Sequence, residues 1–221
     1  MKSQKIILAT QNQGFGQVGG APYLDDSSLW PRAPDTGELM TPLATLTERF
    51  LPVTFVPPGM GLTVFITTRK GNGEFSRTTQ RQYTVHQQSD LKEKLGNGYT
   101  RVILHTLTDE ALVPNEPVLL LKPSFINFEP LTEDEITEEL EDEDSGIELS
   151  KPVGRPSWLQ DPIYEPKRYL FLMQLLDADL AQSSPEHEGI LAEGIGYLYV
   201  DRQARRGKQG DEAGFFFIQF T

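Results

Sequence analysis

YLFLMQLL, the stretch from Tyr169 to Leu176, carries apolar side chains on both of its alternating faces and one amide, Gln174. A strand with a single covered face alternates apolar and polar residues, whereas a nearly continuous apolar run indicates a strand covered on both sides. The stretch therefore predicts a central strand of a β-rich fold. If Gln174 is buried there, it must have hydrogen-bond partners, which favours a structural role over recognition.

Shorter runs on both sides of this stretch also have the composition of strands, because they are rich in β-branched and aromatic residues. We expect the last run to pair with the one before it across the loop from Arg202 to Gly214. Two Asn-Gly pairs, at Asn72 and Asn97, predict hairpin turns, since both residue types tolerate positive φ. The predicted strands are GLTVFITT (Gly61 to Thr68), TRVILHTL (Thr100 to Leu107), PVLLLK (Pro117 to Lys122), GYLYVD (Gly196 to Asp201) and FFFIQF (Phe215 to Phe220).

Three short patterns occur twice in the same order, at offsets of 134, 129 and 135 residues. They predict an α+β fold of mainly antiparallel strands, with two pseudo-repeated β-rich halves packed as one globular unit. The halves would be residues 1–128 and 151–221, joined by an acidic linker with a short helix at 129–150. The matched patterns are Gly20-Ala21-Pro22-Tyr23 with Gly154-Arg155-Pro156-Ser157-Trp158, Leu43 to Leu46 with Leu172 to Leu175, and Gly61 to Phe65 with Gly196 to Val200.

The acidity of this 221-residue chain is concentrated in one segment. The formal net charge is −12, and 11 acidic residues with no basic one stand between Glu129 and Glu148, so the remainder nets only −1. An acidic balance argues against nucleic acid as the main partner. The segment would suit a basic protein partner, and the alternative that stays open is a linker that only solubilises.

The same segment holds the best helical signal in the chain. Thr132 and Glu135 make a capping box, and Leu131 and Ile136 stand at the positions of a hydrophobic staple. Ile136 and Leu140 share a helix face at a spacing of four. The acids that follow crowd the negative end of the helix and should fray it. We therefore expect about two turns of helix and then a mobile stretch.

Several classes of site are excluded by composition. The chain has no Cys, which excludes disulfides, thiolate catalysis and Cys-based zinc sites. The motifs G-x-S-x-G and H-E-x-x-H do not occur, and Gly207-Lys208 lacks the remainder of a phosphate loop. KIILAT near the start is too short for a signal-peptide core, and no apolar run approaches a membrane span. We expect a cytoplasmic protein without cofactor, metal or membrane contact.

One acid–base alternative remains open. Asp177 and Asp179 stand two apart after YLFLMQLL and could form a carboxylate pair on one strand face, with His187 in the loop PEHEG nearby. Such a set would suit a hydrolase or a binder of small ligands or metals. The favoured interpretation is structural, with the acids forming a turn and the histidine solvated or capping, as for His86 and His105 on predicted strands.

Candidate binding residues follow from the repeat and from the charge. Trp30 and Trp158 each follow a G-x-P turn, and we expect them to cover the strands and flank a groove between the halves where a partner would dock. The loop cluster Arg202, Arg205, Arg206 and Lys208 would contact an anion, meet the acidic segment or simply be solvated. The candidate binding residues are Trp30, Trp158, Tyr23, Gln174, Glu138, Glu139, Glu141, Asp142, Glu143 and Asp144.

GGAPYLDDSSLWP (Gly19 to Pro31) and GIGYLY (Gly194 to Tyr199) resemble the YwqG-like family, a bacterial domain of unknown function. VGRPSWL (Val153 to Leu159), followed by YLFLMQLLDADL (Tyr169 to Leu180), is similar to that family and to its distant eukaryotic relatives. Those are the programmed-cell-death-2-like proteins, some of which are chaperones of a ribosomal protein. PLATLT (Pro42 to Thr47) departs from the pattern because it lacks the usual Gln, and the Cys-based metal site of the eukaryotic relatives is absent.

The resemblance implies a fold more firmly than a function, because one fold hosts many functions. With the acidic segment, it leads us to expect a non-enzymatic protein-binding module, chaperone-like or immunity-like. In this hypothesis the acidic segment steers a basic partner toward the groove between the halves.

Overall fold

The computed structural model describes residues 4–51, 54–164 and 167–221. Within these ranges four α-helices accompany antiparallel sheets, so the expected α+β class is confirmed. The strands are β1 (Gln4–Ala9), β2 (Gly16–Val18), β3 (Thr41–Thr47), β4 (Met60–Ile66), β5 (Lys70–Gly71), β6 (Glu74–Phe75), β7 (Thr100–Thr106), β8 (Ser124–Pro130), β9 (Lys151–Pro152), β10 (Tyr169–Leu176), β11 (Ile195–Asp201) and β12 (Gly214–Gln219). The helices are α1 (Arg77–Gln80), α2 (Gln88–Gly96), α3 (Glu133–Glu141) and α4 (Asp177–Ser183).

The strands form one six-stranded sheet, one four-stranded sheet and one hairpin. The first sheet has the order β1-β8-β2-β3-β4-β7, the second has the order β12-β11-β10-β9, and β5 pairs with β6. In the part of the chain that the structure describes, no helix is long and apolar enough to cross a membrane.

Both sheets contain the same four-stranded unit, in which each strand pairs with the next. β2-β3-β4-β7 forms this unit in the first sheet, and β9-β10-β11-β12 forms it in the second. The register shifts once in each unit, at Leu43 between β3 and β4 and at Leu172 between β10 and β11. The carbonyl of Leu43 accepts from Gly19 N at 2.8 Å, and that of Leu172 accepts from Val153 N at 2.9 Å. The two four-stranded units are therefore structural repeats, to which β1 and β8 are added only in the first sheet.

The strand register corrects one of the three repeated patterns by one residue. Leu46 pairs with Leu62, and Leu175, which lies 129 positions after Leu46, pairs with Gly196. Gly196 is thus equivalent to Leu62 and not to Gly61, and the offset in this strand is 134 instead of 135. Aligning the two glycines by their letters shifted the predicted match.

The two sheets share one inner core. Buried side chains from β3, β4 and β7 pack in a single cluster with those from β10, β11 and β12, among them Leu46, Val64, Leu175, Leu198 and Phe216. Each sheet also has a covered outer face. β10 lies between β11 and β9 and is buried on both faces, so the predicted central strand is confirmed.

The sheets also meet at their edges. In the chain before β12, Ala213 N donates to Val102 O of β7 at 2.7 Å, and Leu104 N of β7 donates to Asp211 O at 2.9 Å. At the other side, Ile6 N of β1 donates to Ser150 O, next to β9, at 2.8 Å. Shared core and shared backbone bonds make the two halves one packed unit.

Three local predictions have different outcomes. Asn72 and Gly73 form the two-residue turn between β5 and β6, both with positive φ, as expected. Asn97 instead caps the C-terminus of α2, where Gly98 takes the left-handed conformation. A helix C-terminus needs the same positive φ as a hairpin, which is why the dipeptide alone did not separate them.

The strand predicted for Pro117 to Lys122 is wrong, and the strand lies at Ser124–Pro130 instead. The carbonyl of Leu121 accepts from Gly20 N, and that of Lys122 accepts from a histidine, so this stretch makes no ladder. β8 also extends past residue 128, into the segment predicted as linker. His86 lies in a turn before α2 and is exposed, not on a strand.

Candidate functional site

The acidic segment begins with the helix that its sequence predicts. Thr132 Oγ1 accepts from Glu135 N at 3.2 Å, and Glu135 Oε2 accepts from Thr132 N at 2.7 Å, which is a complete capping box. Lys5 of β1 bonds the other oxygen of Glu135 at 2.7 Å. This contact lowers the pKa of the Glu135 carboxyl. The helix start is thus fixed to the first sheet.

The end of α3 is fixed by a buried ion pair. Glu139 and Lys151 are both buried and bond each other, and the Glu139 carboxylate also accepts from Ile147 N at 2.8 Å. Arg155 donates to the backbone carbonyls of Glu139 and Asp142. A cation at a helix C-terminus offsets the negative end of the helix dipole. The stretch that we expected to be mobile is therefore bonded to the second half.

Glu139 consequently cannot act as a steering residue at the surface. Burial lowers the pKa of the Lys151 ammonium, and the Glu139 carboxylate opposes that shift. The sequence does place a lysine, Lys151, directly after the acidic segment. It does not show which of the eleven acids that lysine contacts. Arg155 was also missed as a helix cap.

The other predicted acids of the segment are exposed: Glu138, Glu141, Asp142, Glu143 and Asp144. Among them lie two exposed apolar side chains, Ile136 at 40 % and Leu140 at 68 % exposure. The predicted staple is thus incomplete, because Leu131 is buried and Ile136 faces water. Tyr164 is 65 % exposed and its hydroxyl lies 3.5 Å from Asp144 Oδ1. We call this set of exposed acids with Ile136, Leu140 and Tyr164 the acidic face.

The acidic face is unusual for its apolar content. Large apolar side chains that are exposed are few in the described residues: Val113, Ile136, Leu140 and Tyr164. Three of these four belong to the acidic face. Exposed apolar groups that cluster among charges mark interaction surfaces more often than groups scattered singly.

The two tryptophans cover the outer faces of the sheets, as predicted. Trp30 is buried, its Nε1 donates to Met40 O at 2.8 Å, and its ring lies 5.9 Å from that of Phe65. Trp158 is half-buried and stacks on Tyr197 at 5.0 Å. Trp30 offers almost no accessible surface to a partner, whereas Trp158 keeps part of its surface accessible.

Tyr23 lies in the loop between β2 and β3, whereas Gln174 lies on β10 of the second sheet. The Tyr23 hydroxyl is 3.3 Å from Gln17 Oε1. Gln174 is fully buried, and its amide accepts from Ser157 N at 2.8 Å and donates to Leu149 O at 2.8 Å. The expectation that Gln174 would be bonded if buried is confirmed.

The proposed carboxylate pair on a strand face is wrong, because Asp177 and Asp179 begin helix α4. Asp177 is buried and accepts from Gly189 N at 2.8 Å and Leu191 N at 2.6 Å. Burial raises the pKa of its carboxyl, and these backbone bonds oppose that shift. Asp179 accepts from Ser150 N at 3.1 Å. Each acid is committed to a different backbone segment.

His187 is buried instead of solvated. Its Nε2 donates to Lys122 O at 2.9 Å, since a carbonyl can only accept, and this bond ties the loop before β11 to the chain before β8. Burial lowers the pKa of the His187 imidazole. No hydrogen bond or ion pair joins it to Asp177 or Asp179 among the described residues, so the three side chains do not form one site.

The basic loop lies along the seam between the halves. A pocket of about 550 Å³ there is lined by Leu104, Arg168 and Arg206, and a second of about 320 Å³ by Phe55 and Arg205, among others. The seam therefore opens where the loop lies, away from both tryptophans. The basic loop does not meet the acidic segment, whose ion-pair partners in the described residues are Lys5 and Lys151.

The described residues contain no group of three or more histidines and carboxylates that could hold a metal ion. A scan against models of known protein families finds no match for the chain, and a search of curated proteins finds none either.

Proposed function

We propose that the chain is a cytoplasmic protein-binding module of the YwqG-like type whose acidic face receives a basic, amphipathic segment of a partner protein. The observation that carries the proposal is the placement of Ile136 and Leu140 among exposed acids on one short helix. A segment with apolar side chains at helical spacing and lysines or arginines beside them complements such a surface in both respects.

The anchoring of α3 supports the proposal energetically. Binding costs less when the receiving surface is already ordered, because side chains and backbone need not be immobilised on association. Here Lys5 holds the start of the helix, and Lys151 and Arg155 hold its end. The apolar positions are thus presented in a fixed arrangement.

The charges have a separate role from the apolar pair. Exposed charges act mainly on the rate of association and are screened by salt, whereas buried apolar contacts slow dissociation. The acidic face should therefore bind by electrostatic attraction first and by contact of Ile136 and Leu140 afterwards.

The test uses a synthetic peptide with leucine and lysine at helical spacing and a scrambled peptide of the same composition. Fluorescence anisotropy should show binding of the first peptide, with an association rate that falls as ionic strength rises. The triple variant Glu138→Gln/Glu141→Gln/Glu143→Gln should bind more slowly and with a flatter salt dependence. Leu140→Ser should raise the dissociation rate and leave the salt dependence unchanged.

A matched control uses three exposed acids that lie outside the acidic segment. Glu74, Glu110 and Glu188 are exposed acids outside the segment, and replacing them by Gln changes the net charge by the same amount. If this control flattened the salt dependence equally, or if the scrambled peptide bound as well as the patterned one, the acidic face would not be the binding surface.

A further inference from the structure

A line of three buried polar side chains crosses the outer face of each sheet at equivalent positions. Thr45 pairs with Thr63 across β3 and β4, and Gln174 pairs with Tyr197 across β10 and β11. The third members lie on the next strands, each two residues after the partner of the middle residue: His105 follows Ile103, and Gln219 follows Phe217. The first polar line is Thr45–Thr63–His105, and the second polar line is Gln174–Tyr197–Gln219.

All three side chains of the second polar line make hydrogen bonds to backbone groups of the chain. Gln174 Oε1 accepts from Ser157 N at 2.8 Å, and the Tyr197 hydroxyl donates to Ser157 O at 2.5 Å. Gln219 Oε1 accepts from Leu159 N, and its amide donates to Asp161 O at 3.0 Å. These long side chains bond the backbone of the segment from Ser157 to Asp161, which covers this outer face and is called the strap.

The first polar line has shorter side chains that bond one another. His105 Nε2 lies 2.8 Å from Thr63 Oγ1, which lies 2.9 Å from Thr45 Oγ1. His105 Nδ1 lies 2.9 Å from Thr106 O, and because a carbonyl only accepts, Nδ1 carries the proton. Burial lowers the pKa of His105, which keeps the ring neutral and Nε2 an acceptor.

The direction of every bond in the line then follows. Thr63 donates to His105, and Thr45 donates to Thr63, because each hydroxyl has one proton. The Thr45 oxygen is left with acceptor capacity, and no described residue donates to it. The Thr45 hydroxyl is thus paired through its proton, and its oxygen, on a side chain that is only 2 % exposed, keeps a lone pair that can accept.

Thr45 forms part of the wall of a pocket of about 250 Å³. Tyr23 also lines it and is the repeat equivalent of Ser157, the residue that the second polar line bonds. Tyr23 O instead accepts from Thr108 N at 3.2 Å, so the backbone of Tyr23 bonds the chain after β7 and not the first polar line. The first unit therefore has a pocket at the position where Gln174 bonds the strap in the second unit.

The remaining walls indicate what the pocket would accept. Leu107 and Phe125 contribute apolar surface, and Asp109 is the charged side chain among the lining residues. Gly16 of β2 also lines the pocket, and it allows β2 to lie close to β3, because a Cβ there would lie 2.2 Å from Thr45 O. The pocket thus offers acceptors, a negative charge and an apolar side.

We infer that this pocket binds a small organic molecule with a hydrogen-bond-donating, positively charged amine head and a compact apolar body. The head donates to Thr45 Oγ1 and is attracted by the Asp109 carboxylate, and the body packs against Leu107 and Phe125. This site is independent of the acidic face, which lies on α3.

The test uses three probes with one ring and different heads: benzylamine, benzyl alcohol and benzoate. In titrations followed by two-dimensional NMR, benzylamine should shift the backbone signals of Thr45, Leu107 and Phe125 saturably and bind most tightly. Benzyl alcohol should bind more weakly, and benzoate should give no saturable shift. Equal binding of all three probes, or binding of none, would overturn the inference.

Three variants locate the contact. Thr45→Val keeps the shape of the side chain and removes the acceptor, so benzylamine affinity should fall about tenfold, which corresponds to one hydrogen bond. Asp109 is exposed, so Asp109→Asn should fold, and it keeps the inference testable if Thr45→Val does not. It should weaken the binding of benzylamine and leave the affinity for benzyl alcohol unchanged. Thr63→Val frees the Thr45 proton, so benzoate should begin to bind. Unchanged probe selectivity in all three variants would contradict the site.

Discussion

The ammonium of Lys151 and the carboxylate of Glu139 bond each other inside the protein, where α3 packs on the start of the second repeat. Removing one partner of such a pair leaves the other charge buried without compensation. Glu139→Gln should therefore lower the free energy of unfolding by about 3 kcal/mol, measured by urea denaturation. Glu138→Gln changes the adjacent exposed acid and should change that free energy by about 0.5 kcal/mol at most. Equal effects of the two substitutions would mean that the pair does not anchor the helix.

Gly19 and Gly37 both have a positive φ, but only Gly19 lies close to other atoms, so the two positions distinguish the cost of the backbone conformation from the cost of a close contact. Their φ angles are +69° and +75°, but a Cβ on Gly19 would lie 2.7 Å from Lys122 O, whereas Gly37 has nothing within 4 Å. Gly37→Ala should cost about 1 kcal/mol, because it places a side chain in the left-handed region. Gly19→Ala should cost at least about 2 kcal/mol more in the same denaturation measurement, since the backbone must also move. Similar losses at both positions would show that Gly19 is needed for its φ alone.

The buried His187 predicts a fall in stability at mildly acidic pH. Burial lowers its pKa below the ordinary value of 6.5, so the unfolded chain binds the proton at a higher pH than the folded chain does. Stability is therefore complete above pH 6.5 and declines as pH falls below it, by at most about 1.4 kcal/mol per pH unit for one group. His187→Asn should reduce this decline in urea denaturation compared at about pH 7.5 and about pH 5.5.

His86 supplies the matched control, because it is exposed and its ring, which packs edge-on against Phe220, makes no hydrogen bond in the described structure. His86→Asn should keep the full decline with pH. Glu186 and Lys70 are the charged groups that act on His187, and both are unchanged in either variant. A pH dependence that was identical in the wild type and His187→Asn would assign the decline to other groups.

Gln174 should be needed for stability through the strap that it bonds. Gln174→Leu keeps much of the side-chain volume but leaves Ser157 N and Leu149 O unpaired in the interior. The free energy of unfolding should fall by about 2 kcal/mol, the usual cost of unsatisfied buried polar groups. Gln203→Leu, at an exposed glutamine, should have an effect near zero, and a comparable loss there would show that apolar replacement itself is harmful.

Local patterns were sufficient for the strands and turns whose structure depends on neighbouring residues. Tyr169 to Leu176 has the same bounds in sequence and structure, because a continuous apolar run can only be satisfied between two covered faces. The capping box at Thr132 was predicted for the same reason, since both of its bonds lie within four residues. Pro117 to Lys122 failed because its composition suits a strand but its carbonyls bond partners far away in sequence.

The site depended on contacts that no local pattern contains. Tyr164 joins the acidic face through a fold that brings it beside Asp144, and Glu139 leaves that face because Lys151 meets it. Likewise, His187 in a loop of glutamates suggested solvent, but its burial follows from packing against the chain around Lys122. Charge and composition located the segment, and only the tertiary structure assigned its members.

The shared inner core has a consequence for how the two repeats can differ. A chain with one four-stranded unit would leave its apolar inner face in water, and two identical chains would have to associate to cover it. In such a symmetric pair, every substitution appears twice. Joining both units in one polypeptide removes that symmetry, because each position is encoded separately. Threonine at position 45 and glutamine at the equivalent position 174 are a difference that is possible only in the joined chain. One outer face can therefore be filled by its own covering segment while the other has a pocket.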